Sequence, residues 1–321
     1  MLSTPQVFSQ RQRFAFGLKR LAATCLCLCS ASLGHAQGGG TAPATSWRLE
    51  AGAGVEYDSN VSVDEVDLSS GQSDYAITAD FKLSARHRFD SATVGTLTYD
   101  VGRSDYAEFS RVDRLTHIVG ADVSTDLGKS SAGLSIYYID SRLDEEAFLN
   151  FLRVSPSMSG FLSQRWFARG AYVYSERDID SRPLRDANTH SAEADLYYFH
   201  RGLRSYANVG YRFRDENAVA DELDFLAHSL KFRYIRRFDL WKRKAKTEIA
   251  LRYEVRDYRS EEPTINERRQ DDRLRLKLDF EIPINDKFTW QAYYSYGDYE
   301  SNLPRADFIQ TIFGTRLQYT W

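Results

Sequence analysis

Residues Arg273–Ile282 alternate without exception: Leu274, Leu276, Leu278, Phe280 and Ile282 interleave with Arg273, Arg275, Lys277, Asp279 and Glu281. Side chains on a strand point to opposite faces with period two, so this stretch has one apolar and one charged face. The same pattern recurs along the chain. Trp47–Asp58 sets Leu49, Ala51, Ala53, Val55 and Tyr57 against Arg48, Glu50 and Glu56. The last residues set Ile309, Phe313, Leu317, Tyr319 and Trp321 against Gly314, Arg316 and Gln318. Fourteen such stretches can be counted. Pro156 blemishes the sixth, because proline removes a ladder donor, and a bulge or local weakness is expected there.

Alternation alone also suits a soluble sandwich; the connections separate the two. Those after even strands read as short, such as 126–131 or 285–287. Those after odd strands read as long and polar, such as 59–74, 176–189 and 257–271. Short turns at one end, long loops at the other and an even strand count describe an all-β protein, a 14-stranded antiparallel transmembrane β-barrel of the bacterial outer membrane. Mean hydropathy is −0.50. That excludes a helical membrane protein but not a barrel, in which only alternate residues meet lipid. The five tryptophans, Trp47, Trp166, Trp241, Trp290 and Trp321, all fall at the short-turn end. They are expected to form a periplasmic aromatic belt, since ring and polar tip suit a membrane interface.

The first 36 residues read as a secretory signal peptide: Arg11, Arg13, Lys19 and Arg20, then an apolar run from Leu21 to Leu33, then small residues to Ala36. Residues 37–46 read as a periplasmic linker, and 47–321 as the barrel. All three cysteines lie in the leader, which excludes disulfides and thiolate metal sites from the rest. Removing the four basic leader residues from the chain's 42 leaves 38 Lys+Arg against 45 Asp+Glu, a net charge of −7. That balance offers no case for nucleic acid.

The wet face carries a basic wall on the C-terminal half: Arg212, Arg214, Lys231, Arg233, Arg252, Arg256, Arg273, Arg275, Lys277 and Arg316, with Arg204 assigned beside them. It reads either as an anion-selecting stripe or as a self-neutralising ladder with Glu193, Asp195, Glu248, Glu254, Asp279 and Glu281. The acidic loops at 59–74 and 214–224 lack an ordered calcium-ligand spacing. They are expected to be solvated and bathed in lipopolysaccharide. His117, His190 and His228 each fall near the start of an even strand on the lipid face. No Gly-x-Ser-x-Gly accompanies them, and no catalytic residue is assigned.

The run Gly54-Val55-Glu56-Tyr57-Asp58-Ser59-Asn60-Val61 resembles barrel domains of the surface lipoprotein assembly modifier family, through Tyr57, Asp58, Ser59 and Asn60. Arg269-Gln270-Asp271-Asp272-Arg273 and Tyr299-Glu300-Ser301-Asn302 before the closing strand are similar to the same family. Members that display lipoproteins usually carry tetratricopeptide repeats before the barrel, and no 34-residue repeat precedes this one. The resemblance implies a non-enzymatic barrel that assists translocation or surface assembly of a client such as a lipoprotein. The alternatives are a channel for small anionic solutes and an exopolysaccharide-linked barrel. Expected partners are outer-membrane lipid and lipopolysaccharide, the barrel assembly machinery and a lipoprotein client; no cofactor or metal is expected.

Overall fold

The computed structural model describes Ala44–Trp321. The signal peptide and most of the linker assigned above lie outside the described residues. Fourteen antiparallel strands close into a barrel. They are β1 Thr45–Asp58, β2 Asp74–Arg88, β3 Thr93–Tyr106, β4 Arg114–Asp126, β5 Ser130–Leu143, β6 Glu146–Phe161 and β7 Trp166–Ile179. The second half is β8 Ala187–Tyr198, β9 Ser205–Ala218, β10 Phe225–Leu240, β11 Arg243–Glu262, β12 Glu267–Pro283, β13 Phe288–Ser301 and β14 Phe308–Thr320. Each strand pairs with its sequence neighbours. Closure comes from β1 against β14, where Glu50 faces Thr320 and Asp58 faces Ile312. All fourteen stretches read from the sequence are strands. Among the described residues no helix is long and apolar enough to cross a membrane.

The faces fall as the alternation requires. Val55, Ile77, Leu97, Ile136, Val209, Leu230, Leu251 and Leu317 are exposed on the outer wall, while Ser155, Ser191, Asp195, Asn208 and Glu254 are buried within. An apolar exterior over a polar interior suits hydrocarbon outside and water inside. Closure leaves no unpaired backbone edge, which lipid would not tolerate. We expect Leu251→Arg to lower folding stability in lipid vesicles by about 2–4 kcal/mol, as for a cation facing the bilayer midplane. A urea titration of vesicle-folded protein measures it, and an unchanged midpoint would mean that Leu251 does not face lipid.

The seam between β1 and β14 has its own brace. Tyr293 on β13 lies across Gly314 on β14 and donates from Oη to Glu56 Oε2 on β1 at 2.7 Å. A Cβ on Gly314 would lie 2.4 Å from the Tyr293 ring, so only glycine leaves this path open.

The irregularity expected at Pro156 is a local weakness and not a bulge. Pro156 stays in register, opposite Leu134 on β5. Pairing lapses for Ser155 and Pro156 only on the β7 side, consistent with the missing N–H. The bulge sits instead at Phe148, where the β5–β6 register shifts. A bulge turns two successive side chains toward one face. Phe148 and Leu149 are both buried as a result.

The long loops are also shorter than the sequence suggests. Most of 257–271 is a continuation of β11 and β12, closed by residues 263–266, and β5 joins β6 through Asp144 and Glu145 alone. Polar strands that rise past the apolar band lose the alternation signal while keeping their ladder. One loop remains long, residues 59–73, and it turns inward.

Candidate functional site: a latched loop above a cationic lumen

Loop 59–73 leaves β1 at the closing seam, where the Tyr57–Asn60 motif anchors it. Asp58 is 1% exposed and accepts hydrogen bonds from the Asn60 amide at 2.9 Å and Gln310 Nε2 at 2.9 Å. Ser59 exchanges hydrogen bonds with Thr311, its amide to the Thr311 carbonyl and the Thr311 amide to its hydroxyl. The Asn60 side chain donates to the Ile309 carbonyl and accepts from Ser69 Oγ and the Gly71 amide. The loop's two ends are thus tied to each other and to β14. Tyr57 faces outward, packed against Tyr75 and Phe313 at centroid distances of 5.2 and 5.3 Å.

From that anchor the loop crosses the barrel mouth. Ser62–Val63 pairs with Leu68–Ser69, with a 3₁₀ turn at Asp64–Val66 between them. Val63 and Val66 pack against Phe148 and Leu149 on β6 and Ile179 on β7. This is a hydrophobic core of the described chain, and the β6 bulge supplies two of its five buried residues. Asp67 follows the turn with φ +51°, a left-handed conformation that aspartate tolerates better than most residues.

Asp67 is the latch. Arg269 on β12 holds it through two nitrogens, Nη1 to Oδ2 at 2.9 Å and Nη2 to Oδ1 at 3.0 Å. Arg185, in the β7–β8 loop, adds Nη2 to Oδ2 at 2.7 Å. Arg269 is 1% exposed, and its remaining donors go to Asp271 at 2.7 and 2.9 Å. Asp271 also takes Arg273 and Ser301 Oγ. Tyr299 Oη donates to Asp64, and Arg114 grips Glu65 through both terminal nitrogens. Bidentate guanidinium–carboxylate pairs add geometric specificity as well as energy. The three family-like motifs therefore form one assembly: the first anchors the loop, and the other two hold its tip.

This corrects the reading of 59–74 as a solvated acidic loop. Glu65 and Asp67 face arginines inside the mouth, Asp64 accepts from Tyr299, and Asp74 accepts the Glu108 and Phe109 amides. Burial pushes the Asp67 carboxyl up, but the bonds and charges of Arg269 and Arg185 outweigh it and leave it below the usual carboxylate range. Burial likewise acts against Arg114 at Glu65, and Arg114 prevails. A depressed folded value gives a contribution fully present above the ordinary carboxyl pKa and lost only as pH falls through the depressed one. We expect hydrogen-exchange protection of residues 60–72, corrected for intrinsic rate, to be unchanged between pH 8 and pH 5. Opening within that window would contradict the latch.

Below the latch the basic wall is mostly neutralised. Arg212 meets Glu193 at 3.5 Å, Lys231 meets Asp195 at 2.7 Å and Arg233 meets Glu248 at 3.0 Å. Arg214 and Arg256 share Glu254 at 2.5 and 2.7 Å, Arg273 meets Asp271 at 3.0 Å, and Arg316 meets Asp80 at 3.2 Å. Arg252, Arg275 and Lys277 have no carboxylate partner among the described residues. Arg204 is not on the wall at all: it sits at a turn and pairs with Asp239, both exposed.

Outside the lumen, the five tryptophans lie at the turn end. Trp47 pairs with Ala85 late in β2, Trp166 starts β7, Trp241 is in the β10–β11 turn, Trp290 faces Ile282, and the Trp321 backbone bonds Leu49. Ten residues of tilted strand separate Trp47 from Tyr57, a height of about 25 Å that matches the apolar band of such barrels. His117, His190 and His228 each meet a tyrosine of the preceding strand: Tyr99, Tyr172 and Tyr211, with Oη to Nδ1 distances of 2.8, 2.5 and 2.7 Å. The repeated diagonal pairing was invisible without the register. No cluster able to hold a metal ion occurs among the described residues.

Fold and mouth together define an outer-membrane β-barrel whose first extracellular loop is folded into its own entrance. The family model for surface lipoprotein assembly modifiers matches residues 47–308. The chain belongs to that family, and with it to the outer membrane. Comparison with curated proteins returned no match. Among solved structures, the anion-selective porin of Comamonas acidovorans is similar at 8% identity and TM-score 0.49, covering 86% of this chain and 99% of that one. CdiB of Acinetobacter baumannii is similar at 10% identity and TM-score 0.46, covering 85% of this chain and 60% of that one. OmpT of Vibrio cholerae lacking loop L8 is similar at 9% identity and TM-score 0.46, covering 87% and 100%.

Proposed function

We propose that this barrel assists the transfer of a lipoprotein client onto the outer surface of the outer membrane, without catalysing a reaction, and that loop 59–73 holds the mouth closed between transfers. Family membership over residues 47–308 is the observation that carries this reading. The latch supports it, because the lumen of a fourteen-stranded barrel left open would leak solutes, and a charged tip in a charged socket can be released and reset. Lipid, lipopolysaccharide and the barrel assembly machinery are the partners this location calls for.

Surface-shaving proteomics of a deletion strain tests it. One or a few lipoproteins should disappear from the shaved fraction, persist in whole cells and return on complementation. An unchanged surface set in the deletion strain would overturn the proposal. The alternative, a channel for small anions, has the unpaired wall cations in its favour. It predicts large, steady, anion-selective openings of the unaltered protein in planar bilayers, and the assembly reading predicts their absence.

A further inference from the structure

The strand register puts Lys231, Arg252 and Arg275 side by side on the inner face of β10, β11 and β12. Lys277 stands one inward position further toward the turn end. Lys231 is committed to Asp195. Arg252 and Arg275 face each other directly, and like charges directly opposed on neighbouring strands destabilise the pair. The acids around them are occupied elsewhere: Glu254 by Arg214 and Arg256, Asp271 by Arg269 and Arg273, Glu248 by Arg233 and Lys246. Asp279, next below Lys277 on the same face, acts on it through space but makes no ion pair within 4 Å. The Nε of Arg252 is shut off from solvent with no hydrogen-bond acceptor. The Arg275 guanidinium lies over the Tyr299 ring at 5.5 Å.

The other named cations of this wall each reach an acid within 4 Å, so the cations without a contact acid gather in one place. Tyr299 also bonds Asp64 of the latched loop, so the surplus lies just under the plug, on the side open to the turn end. Clustered arginine and lysine lining a pore is the arrangement that concentrates anions and phosphates. We propose that Arg252, Arg275 and Lys277 form an anion-binding site on the lumen wall beneath the plug, taking a multiply charged oxyanion such as a phosphate group. Planar guanidinium donors suit the oxygens of phosphate, and Lys277 adds a mobile point charge. The site does not depend on the assembly reading: binding is measured on the isolated protein, client display in cells.

The test is calorimetric titration of the detergent-folded full barrel with inorganic pyrophosphate and, separately, with glucose 6-phosphate, at constant ionic strength in chloride. Saturable pyrophosphate binding is expected, weakened about tenfold or more in Arg252→Gln/Arg275→Gln, the scale of losing charge-assisted hydrogen bonds. Lys277→Gln alone, at an exposed position, keeps the test open if the double variant misfolds, and it should weaken binding as well. Pyrophosphate binding alone would identify a free oxyanion as the ligand; comparable or tighter binding of the sugar phosphate would identify a phosphate carried on a larger molecule. Absence of saturable binding by either probe, or equal binding by heat-modifiable variants, would overturn the site.

Discussion

Arg269→Ala is expected to release loop 59–73 from the mouth while leaving the barrel intact. Arg269 satisfies Asp67 from the loop and Asp271 from its own strand, and all three are nearly inaccessible. Removing one partner of a buried ion pair destabilises by about 3–5 kcal/mol, because the remaining charge is left unpaired. At 1.4 kcal/mol per tenfold, the closed-to-open ratio of the loop should fall by about two to three and a half orders of magnitude. The three cysteines of the chain all lie in the first 36 residues, so protein refolded from residue 37 onward carries one engineered thiol as its reporter. Val66→Cys places it on a side chain that is 3% exposed in the closed loop. Its maleimide labelling rate should rise by that factor in the Arg269→Ala background. The swap Asp67→Arg/Arg269→Asp should recover part of the protection, less than all of it because Arg185 would then face a like charge. Unchanged labelling in a properly folded Arg269→Ala protein would remove the latch.

Deleting Tyr319–Trp321 is expected to abolish membrane insertion. These residues supply the Ala51–Tyr319 and Glu50–Thr320 pairings and the reciprocal backbone bonds between Leu49 and Trp321, all at the seam where first and last strands meet. Their loss leaves unpaired backbone on β1 and β13 at the apolar band, and each unsatisfied group in hydrocarbon costs several kcal/mol. Heat-modifiable migration of outer-membrane fractions gives the readout. A normal folded band from the truncated chain would show that closure does not need this end. Trp321→Ala alone keeps the backbone pairing and should insert, which separates the ladder from the ring.

Sequence and structure agree best where one physical constraint acts on every residue. Lipid on one side and water on the other force period-two alternation, so all fourteen strands and the sidedness of Leu274–Ile282 could be read by parity. The family-like motifs could also be read, though not their use. Nothing in Tyr57–Asn60 says that Asp58 would bind Gln310, or that Asn60 would clasp Ser69 and the Ile309 carbonyl, because those partners are remote in the chain. One signal was available and pointed the right way: loop 59–73 carries Val61, Val63 and Val66, which a solvated loop has no reason to keep.

Alternation, an even strand count and an apolar outer face are local properties, repeated in every strand, and they are sufficient for a closed barrel in a membrane. Tertiary structure alone decided that the first loop turns inward, that Asp67 reaches Arg269 two hundred and two residues away, and that three wall cations have no acid in contact. Those outcomes depend on register, on the Phe148 bulge and on which side chains meet across the mouth. Charge in a sequence is a list, whereas ion pairing is a geometry, and only the closed barrel determines which arginines are matched.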